Sequence, residues 1–231
     1  MDKVEIPAVL QKEVQYQDLF FYQKSEVLYD LTYYFAKNYL LSYGNRTVDQ
    51  MIQAARSGKQ NIVEGLADGV TSTELQLKLL NVARASLKEL RADYEDYLST
   101  RHIGVWKESH PRYNTMLDYC RNHNKSTDYK PYFSRWTDEE LCNIALTLLH
   151  MTDKMMKTYL SGLEQQFVTQ GGIRERMYAA RTGYRKGQDE ELQNLRNETK
   201  SLRQQVTIME QRVEQLLNEK RHLEVLLEQE R

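Results

Sequence analysis

Apolar and aromatic side chains recur at steps of three and four residues along four stretches of this chain. That spacing is typical of one face of an α-helix, and it predicts helices over residues 17–42, 47–66, 72–100 and 138–168. Because the chain has only 10 glycines and 3 prolines, a turn-rich β fold is not expected. The predicted inward-facing residues are Leu28, Leu31, Phe35 and Tyr39 in the first helix, Leu80, Ala83, Leu87, Leu90 and Tyr94 in the third, and Leu141, Ile144, Ala145, Leu148, Met155, Tyr159 and Leu163 in the fourth.

Polar residues beside these stretches predict where the helices begin. Thr47 is the predicted N-cap of the second helix, because a threonine hydroxyl can accept a hydrogen bond from a free backbone N–H of the first turn. Thr71 with Glu74, and Thr137 with Glu140, have the spacing of a capping box, in which a hydroxyl and a carboxylate satisfy two such N–H groups. These two pairs predict the starts of the third and fourth helices.

The four helices favour an all-α fold, an antiparallel up-down four-helix bundle over residues 16–170, with residues 1–15 as a leader. Each helix has one apolar face, and helices with short connections bury such faces most simply against one another. The segment 101–136 is longer than a bundle connection needs and contains two prolines. We expect this insertion to be functional or to carry structure of its own, with a short helix at 109–122.

A seven-residue repeat predicts a C-terminal coiled-coil helix over residues 188–231. Apolar residues fill most a and d positions for about five heptads, with Thr199 and Lys220 as the polar exceptions. β-Branched residues at a with leucine at d favour a parallel dimer. The predicted core residues are Leu192, Leu195, Leu202, Val206, Met209, Val213, Leu216, Leu223 and Leu227.

Residues 171–187 form a basic stretch between the bundle and the coiled coil. Five basic residues against Glu175 give this stretch a net charge of +4. Arginines with neighbouring tyrosines contact phosphates and stack on bases, so nucleic-acid contact is one interpretation and a solvated linker helix is the other. The candidate nucleic-acid-binding residues of the stretch are Arg174, Arg176, Arg181, Arg185 and Lys186, and their aromatic neighbours are Tyr178 and Tyr184.

The chain as a whole is close to neutral, with a formal charge of −1 over 231 residues. Any nucleic-acid contact is therefore local, since the whole chain has no excess of positive charge. A mean hydropathy of −0.73 fits a protein with much exposed helix surface. No apolar run reaches about 18 residues, so no membrane contact is expected, and the N-terminus lacks the pattern of a signal peptide. Two cysteines are too few for a disulfide framework, which favours the reducing cytoplasm.

Known catalytic and cofactor-binding motifs do not occur in the sequence. It has no glycine-rich phosphate loop, nucleophile elbow, HExxH motif or paired CxxC motif. Cys120, His123, Cys142 and His150 are of metal-binding types, but Cys142 and His150 lack the short paired spacing of a zinc site. We therefore expect a non-enzymatic protein with no catalytic residue, no cofactor and no metal.

Residues 47–98 carry the most informative motif. The second helix contains Asn61-Ile62-Val63-Glu64-Gly65, and the third contains the pattern Ala-x-x-Ser-Leu-x-Glu-Leu over residues 83–90. This pair resembles the two central helices of the small bacterial four-helix-bundle proteins called 23S rRNA intervening-sequence proteins. That family includes the accessory protein of diversity-generating retroelements. The resemblance covers about residues 16–100, and residues 101–177 resemble the suffix segment found on a subset of the family.

The resemblance implies a homo-oligomeric bundle, typically a pentamer. For the retroelement relatives it implies binding to a reverse transcriptase and to nucleic acid through a basic surface. Many relatives have paired arginines where this chain has Ile52-Gln53, and Arg56 and Lys59 supply positive charge about one turn later. These two residues are therefore further candidates for contact with nucleic acid.

Within the motif, Asn61 and Glu64 lie three residues apart on one helix. One interpretation is structural hydrogen bonding near a helix end, and the other is contact with a ligand or partner.

For the whole protein, the sequence predicts a scaffold that binds a macromolecular partner, RNA or an RNA-handling protein such as a reverse transcriptase. The alternative is a purely structural protein–protein adaptor that recruits a partner through its coiled coil.

Overall fold

The computed structural model describes residues 14–40, 45–69 and 71–229. No strand occurs within these ranges, and the all-α prediction is confirmed. The α-helices are α1 (Phe20–Tyr39), α2 (Asn45–Asp68), α3 (Thr73–Thr100), α4 (Tyr113–Asn122), α5 (Ser126–Tyr129), α6 (Asp138–Gln170) and α7 (Ile173–Gln229), with short 3-10 helices at Tyr16–Asp18 and Lys130–Tyr132. In this part of the chain, no helix is long and apolar enough to cross a membrane.

Four of these helices form the bundle. α1 packs against α2 and α6, and α3 packs against the same two helices. The apolar faces predicted from periodicity meet in one core: every predicted inward-facing residue is buried there except Tyr39, Met155 and Tyr159, which are half-buried against it. Burial of these faces is the main stabilising contribution, since each large apolar side chain removed from water contributes about 1.5–3 kcal/mol.

Residue pairs between neighbouring helices show their relative directions. Gly58 of α2 lies against Leu87 of α3, whereas Gly65, later in α2, lies against Leu80, earlier in α3. α2 and α3 therefore run in opposite directions. The same holds for α3 and α6, because Arg84 Nε bonds Asp153 Oδ1 at 2.9 Å while the Tyr97 hydroxyl bonds the carboxylate of Asp138.

The two predicted capping boxes have different outcomes. Thr137 and Glu140 form the predicted capping box of α6, with Thr137 N donating to Glu140 Oε2 at 2.8 Å. The box predicted at Thr71 is wrong, because the Thr71 hydroxyl donates to the carbonyl of Asp68 and closes the last turn of α2. Ser72 is the N-cap of α3 instead and accepts from Leu75 N.

Two further predicted helix starts lie elsewhere in the structure. α2 begins at Asn45, so Thr47 lies within the helix and is not its N-cap, contrary to the prediction. The short helix predicted from residue 109 begins at Tyr113, because residues 107–112 form turns that precede it.

The insertion 101–136 carries structure of its own, formed by α4, α5 and a 3-10 turn. Lys24 of α1, which is only 3% exposed, connects the insertion to the bundle. Its ammonium donates to the carbonyl of Cys120 at 2.5 Å and to that of His123 at 3.4 Å. Both carbonyls lie at the C-terminal end of α4, where a positive charge is favoured by the helix dipole. Burial lowers the pKa of Lys24.

Residues after the bundle form one long helix. Gly171 has a φ of 70° and ends α6, a backbone conformation that favours glycine. α7 then starts at Ile173 and continues to Gln229. By its contacts, the chain divides after Arg176 into the bundle unit and a second unit that holds the rest of α7.

Candidate binding surfaces

The basic stretch predicted at 171–187 is helical from Ile173 onward. Arg174, Arg181, Arg185 and Lys186 are exposed, whereas Arg176 is half-buried. Nε and Nη2 of Arg176 are buried and bond no acceptor among the described residues. Four of the five predicted cations are thus placed where a large anion can reach them.

Tyrosines lie among these cations on the same helix. Tyr178 is 73% exposed and Tyr184 is 50% exposed. Tyr178, Arg181 and Arg185 have the i, i+3, i+7 spacing of a single helix face. An aromatic ring and two guanidinium groups are therefore presented together to solvent.

On α2, Arg56 and Lys59 have different environments. Arg56 is exposed, but Lys59 is half-buried, and its Nζ lies 4.4 Å from the ring centroid of Tyr29 on α1. This cation–π contact joins the two helices. Lys59 is therefore engaged in packing, and only Arg56 of this pair is exposed.

Two residues of the motif at positions 61–65 contribute to the contact between α2 and α3. Asn61 Nδ2 donates to the Ser57 carbonyl at 2.8 Å and to its hydroxyl at 3.1 Å, and that hydroxyl lies 3.0 Å from the hydroxyl of Ser86 on α3. A β-carbon at Gly65 would lie 3.2 Å from Leu79 Cβ. Asn61 and Gly65 therefore serve helix packing in this structure.

Glu64, the third motif residue, faces outward. It is exposed, and its Oε1 accepts a hydrogen bond from Gln60 Nε2 at 3.1 Å. Asn61 and Glu64 are each bonded to the preceding turn and not to one another. Of the three motif residues, Glu64 is the one a partner can reach.

The heptad positions of α7 form an exposed apolar stripe. The exposed fractions run from 48% at Leu216 to 66% at Met209. Single exposed leucines are ordinary, but a row of apolar residues along one helix face is not. This stripe, which Thr199 interrupts once, is therefore suited to a partner helix. The stripe consists of Leu192, Leu195, Leu202, Val206, Met209, Val213 and Leu216, and the predicted core side chains of Leu223 and Leu227 lie outside the part that the structure describes.

Both cysteines are buried free thiols. Burial raises the pKa of Cys120 to about 12, against ordinary thiols near 9.0, so it is a poor nucleophile and a poor metal ligand. His123 stacks on Tyr119 with ring centroids 4.1 Å apart, and His150 is exposed. Within the described ranges, no group of three or more His, Cys, Asp or Glu residues is placed to hold a metal ion.

A polar groove of about 830 Å³ lies between α2 and α3. Its charged lining consists of Asp49, Glu89 and Asp93 with Arg46 as the cation. Burial raises the pKa of Asp93, and the nearby charges of Asp96 and Glu89 raise it further. An excess of carboxylates makes this groove unsuited to phosphate.

An aromatic cleft of about 420 Å³, which sequence reasoning did not identify, lies between the insertion and α6. Its aromatic lining comes from Trp106, Tyr119, Tyr132 and Trp136. Both tryptophans of the chain are among them, and that concentration within residues 101–136 is the sequence signal that points to the site. The other lining residues are Arg112, Thr115, Met116, Glu140 and Ile144.

Hydrogen bonds and stacking fix these rings in place. Trp106 Nε1 donates to Glu139 Oε1 at 2.7 Å, and the Tyr119 hydroxyl donates to the Asp128 carbonyl at 2.7 Å. Tyr132 stacks on Trp136 with centroids 5.5 Å apart and an angle of 23° between the rings. The cleft is therefore a preformed, rigid aromatic surface.

Charged groups stand beside this cleft as well. Arg112 Nη1 donates to Glu140 Oε1, and the arginine side chain is 65% exposed against 18% for the glutamate. The other Glu140 oxygen accepts from Thr137 N in the capping box. Glu140 thus has both oxygens engaged, whereas Arg112 has further N–H donors to offer.

Compared with known proteins, the chain matches no family model, no curated protein and no solved structure. The family resemblance of residues 47–98 therefore stays a prediction.

Proposed function

We propose that this protein is a non-enzymatic, homo-oligomeric helical scaffold that binds RNA, or an RNA-handling protein such as a reverse transcriptase, through the basic start of α7. The observation that carries the proposal is the exposure of Arg174, Arg181, Arg185 and Lys186 together with two exposed tyrosines on that helix. Guanidinium and ammonium groups neutralise phosphates, and tyrosine rings stack on unpaired bases. The near-neutral chain concentrates its positive charge here.

The resemblance of residues 47–98 to the 23S rRNA intervening-sequence family supports the same proposal. On that basis the bundle assembles into a homo-oligomer, with five copies as the expected number. A dimeric coiled coil leaves one chain of a five-fold ring unpaired, so the stripe of α7 would join two rings or form a five-stranded coil. The expected location is the cytoplasm.

RNA binding by the full-length protein, measured over a range of salt concentrations, tests the proposal. Because bound phosphates release counterions, the log–log slope of affinity against salt is expected to be about −0.7 per neutralised phosphate on single strands and about −0.9 on duplex. Reversing charge at Arg174, Arg181, Arg185 and Lys186 to glutamate should flatten this slope and weaken binding to all sequences alike.

A matched control reverses the same number of charges on the bundle surface. Lys78, Lys88, Lys154 and Lys157 are exposed on α3 and α6, and changing all four to glutamate gives the same net charge. If both quadruple variants lose RNA equally, the effect comes from total charge and the basic stretch is not the site. If the α7 variant keeps full RNA binding, Arg56 becomes the leading candidate.

The second candidate function is a structural adaptor that recruits a protein through the coiled coil. The exposed apolar stripe from Leu192 to Leu216, which Thr199 interrupts once, favours it. A pull-down treated with ribonuclease separates the two functions when it is repeated with the α7 charge reversal. Partners released by ribonuclease or by the charge reversal support the scaffold, and partners that stay bound through both support the adaptor.

A further inference from the structure

We propose that the aromatic cleft between the insertion and α6 binds a nucleotide, whose base stacks on the aromatic walls while its phosphate pairs with Arg112. The inference deepens the proposed RNA-binding function and rests on it for the source of the nucleotide. The cleft volume of about 420 Å³ falls within the range of about 300–1,000 Å³ that is usual for small-ligand sites.

The aromatic walls provide the stacking surface. Tyr119 stands nearly perpendicular to Trp136, at 85° with centroids 6.1 Å apart, and nearly perpendicular to Tyr132, at 87° and 6.4 Å. Because these rings stand at right angles, the cleft between them is lined by the face of one ring and the edge of another. Because every base has a π-face, such a platform binds bases with little sequence preference. Buried Met116 and Ile144 supply apolar surface below the rings.

Arg112 supplies the anion-binding group. It lies on the turn before α4 and is largely exposed. Because the arginine end of its ion pair with Glu140 is exposed, water partly screens that pair. A phosphate can take up the remaining guanidinium donors in a charge-assisted contact. A second reason favours exchange: Glu140 keeps its hydrogen bond from Thr137 N when Arg112 turns to a ligand.

A cationic ligand is a poorer match for the same walls. Ring faces attract cations, but the carboxylates beside these rings already have partners, since Glu139 accepts from Trp106 and Glu140 accepts from Thr137 and Arg112. A cation would also face the positive charge of Arg112. An uncharged aromatic side chain of a partner protein would use the walls and leave Arg112 without a role.

The two tryptophans make the cleft directly observable. Trp106 and Trp136 are the only tryptophans of the chain, and both line this cleft. Adenosine 5′-monophosphate is titrated into the full-length protein while tryptophan fluorescence is recorded at the red edge of the excitation band. We expect a saturable change with the monophosphate and at least about tenfold weaker binding of adenosine, which lacks the charged hydrogen-bond partner of Arg112.

Three variants locate the binding. Arg112→Gln should weaken binding of the monophosphate about tenfold and leave the affinity for adenosine unchanged. Tyr132→Ala should weaken both by about five- to 150-fold, the usual contribution of one stacked base, and Tyr132→Phe should restore binding. The control is Arg121→Gln, because Arg121 is also an exposed arginine of the α4 region, paired with Asp118, but does not line the cleft. It should leave both titrations unchanged.

Some outcomes would overturn the inference. These are the absence of a saturable change with the monophosphate, equal affinity for adenosine and its monophosphate, or tighter binding of N-acetylphenylalanine amide than of either. The last result would assign the cleft to an aromatic side chain of a protein partner.

A short oligoadenylate distinguishes the source of the nucleotide. If it competes with the monophosphate and is weakened by Arg112→Gln, the cleft takes a nucleotide of single-stranded RNA. If only the monophosphate binds, the cleft takes a free nucleotide. The quadruple charge reversal on α7 should change the RNA salt slope and leave monophosphate binding intact, so failure of the proposed function and failure of the cleft inference give different results.

Discussion

Gly58 of α2 lies so close to Leu87 of α3 that a β-carbon added at Gly58 would stand 2.6 Å from Leu87 Cδ2 and 2.8 Å from Leu87 Cγ. Contacts this short do not occur between real side chains, so the two helices are spaced for a glycine. The nearby Ser57–Ser86 hydroxyl contact of 3.0 Å depends on the same spacing. Small residues thus set the distance between α2 and α3.

Gly58→Ala is therefore expected to destabilise the protein by about 1–3 kcal/mol through overpacking, although alanine is the better helix former. Thermal or chemical unfolding measures the change. Gly162→Ala is the matched control, because nothing lies within 4 Å of its added β-carbon, and it should stabilise by about 0.5–1 kcal/mol. A Gly58→Ala protein as stable as the control variant would show that the helices adjust freely.

Lys24→Met is expected to loosen the insertion. The change removes the donor to the Cys120 and His123 carbonyls, and an unsatisfied buried acceptor costs about 1–3 kcal/mol. Hydrogen exchange should quicken first in the backbone amides of α4, residues 113–122. Lys88→Met, at an exposed site on α3, should leave that exchange unchanged. Unaltered protection of α4 in the Lys24 variant would contradict a clamping role.

Asp93→Asn is expected to stabilise the protein near neutral pH. The pKa of Asp93 in the folded protein is raised above its ordinary value of 3.8, first by burial and then by Asp96 and Glu89. The unfolded carboxyl therefore loses its proton at a lower pH than the folded one, and stability from this group falls as pH rises through the folded pKa. Removing the charge should raise the free energy of unfolding by about 0.5–1 kcal/mol, which is the cost of two like-charge neighbours on a helix.

The pH dependence distinguishes this electrostatic effect from a packing effect. The gain from Asp93→Asn should be present at about pH 7 and disappear by about pH 3, where the wild-type carboxyl is protonated in both states. Asp189→Asn, at an exposed site on α7, should change stability little at either pH. A gain of equal size at both pH values would show that charge is not its cause.

Local periodicity predicted the bundle core because core membership follows from helix geometry alone. Leu28, Leu31 and Phe35 recur at helical spacing, and all three are fully buried. The helix start near residue 72 was less predictable, since Thr71 and Ser72 both carry a hydroxyl suited to capping. The choice depends on where α2 completes its last turn, and the Asp68 carbonyl takes the Thr71 hydroxyl.

Long-range contacts were beyond the sequence pattern. A lysine such as Lys24 is expected at the surface from its charge, yet its ammonium donates to a carbonyl 96 residues away in the chain. The cleft likewise joins Trp106 to Trp136 through α4 and α6, so no local spacing indicates it. In the basic stretch, the net charge was predictable from the residues alone. The half-burial of Arg176 was not, because it depends on tertiary packing.

Leu202→Lys with Leu216→Lys in the full-length chain is expected to remove the contact made through α7 and to leave a smaller oligomer held by the bundle. Each d-position leucine buried in a coiled coil contributes about 1.5–3 kcal/mol, and a buried lysine opposes the contact further. Light scattering of the full-length protein measures the mass. Gln204→Lys with Gln211→Lys adds the same charge at f positions on the opposite face of the heptads and should leave the mass unchanged. An unchanged mass in the leucine variant would exclude the stripe as a self-association surface, and a clean monomer would exclude an oligomeric bundle.

The relative direction of two paired α7 helices is tested by Leu195→Cys, a change away from the centre of the stripe. In a parallel, in-register pair like positions face each other, so oxidation should link two chains through this cysteine. An antiparallel pair would give no link.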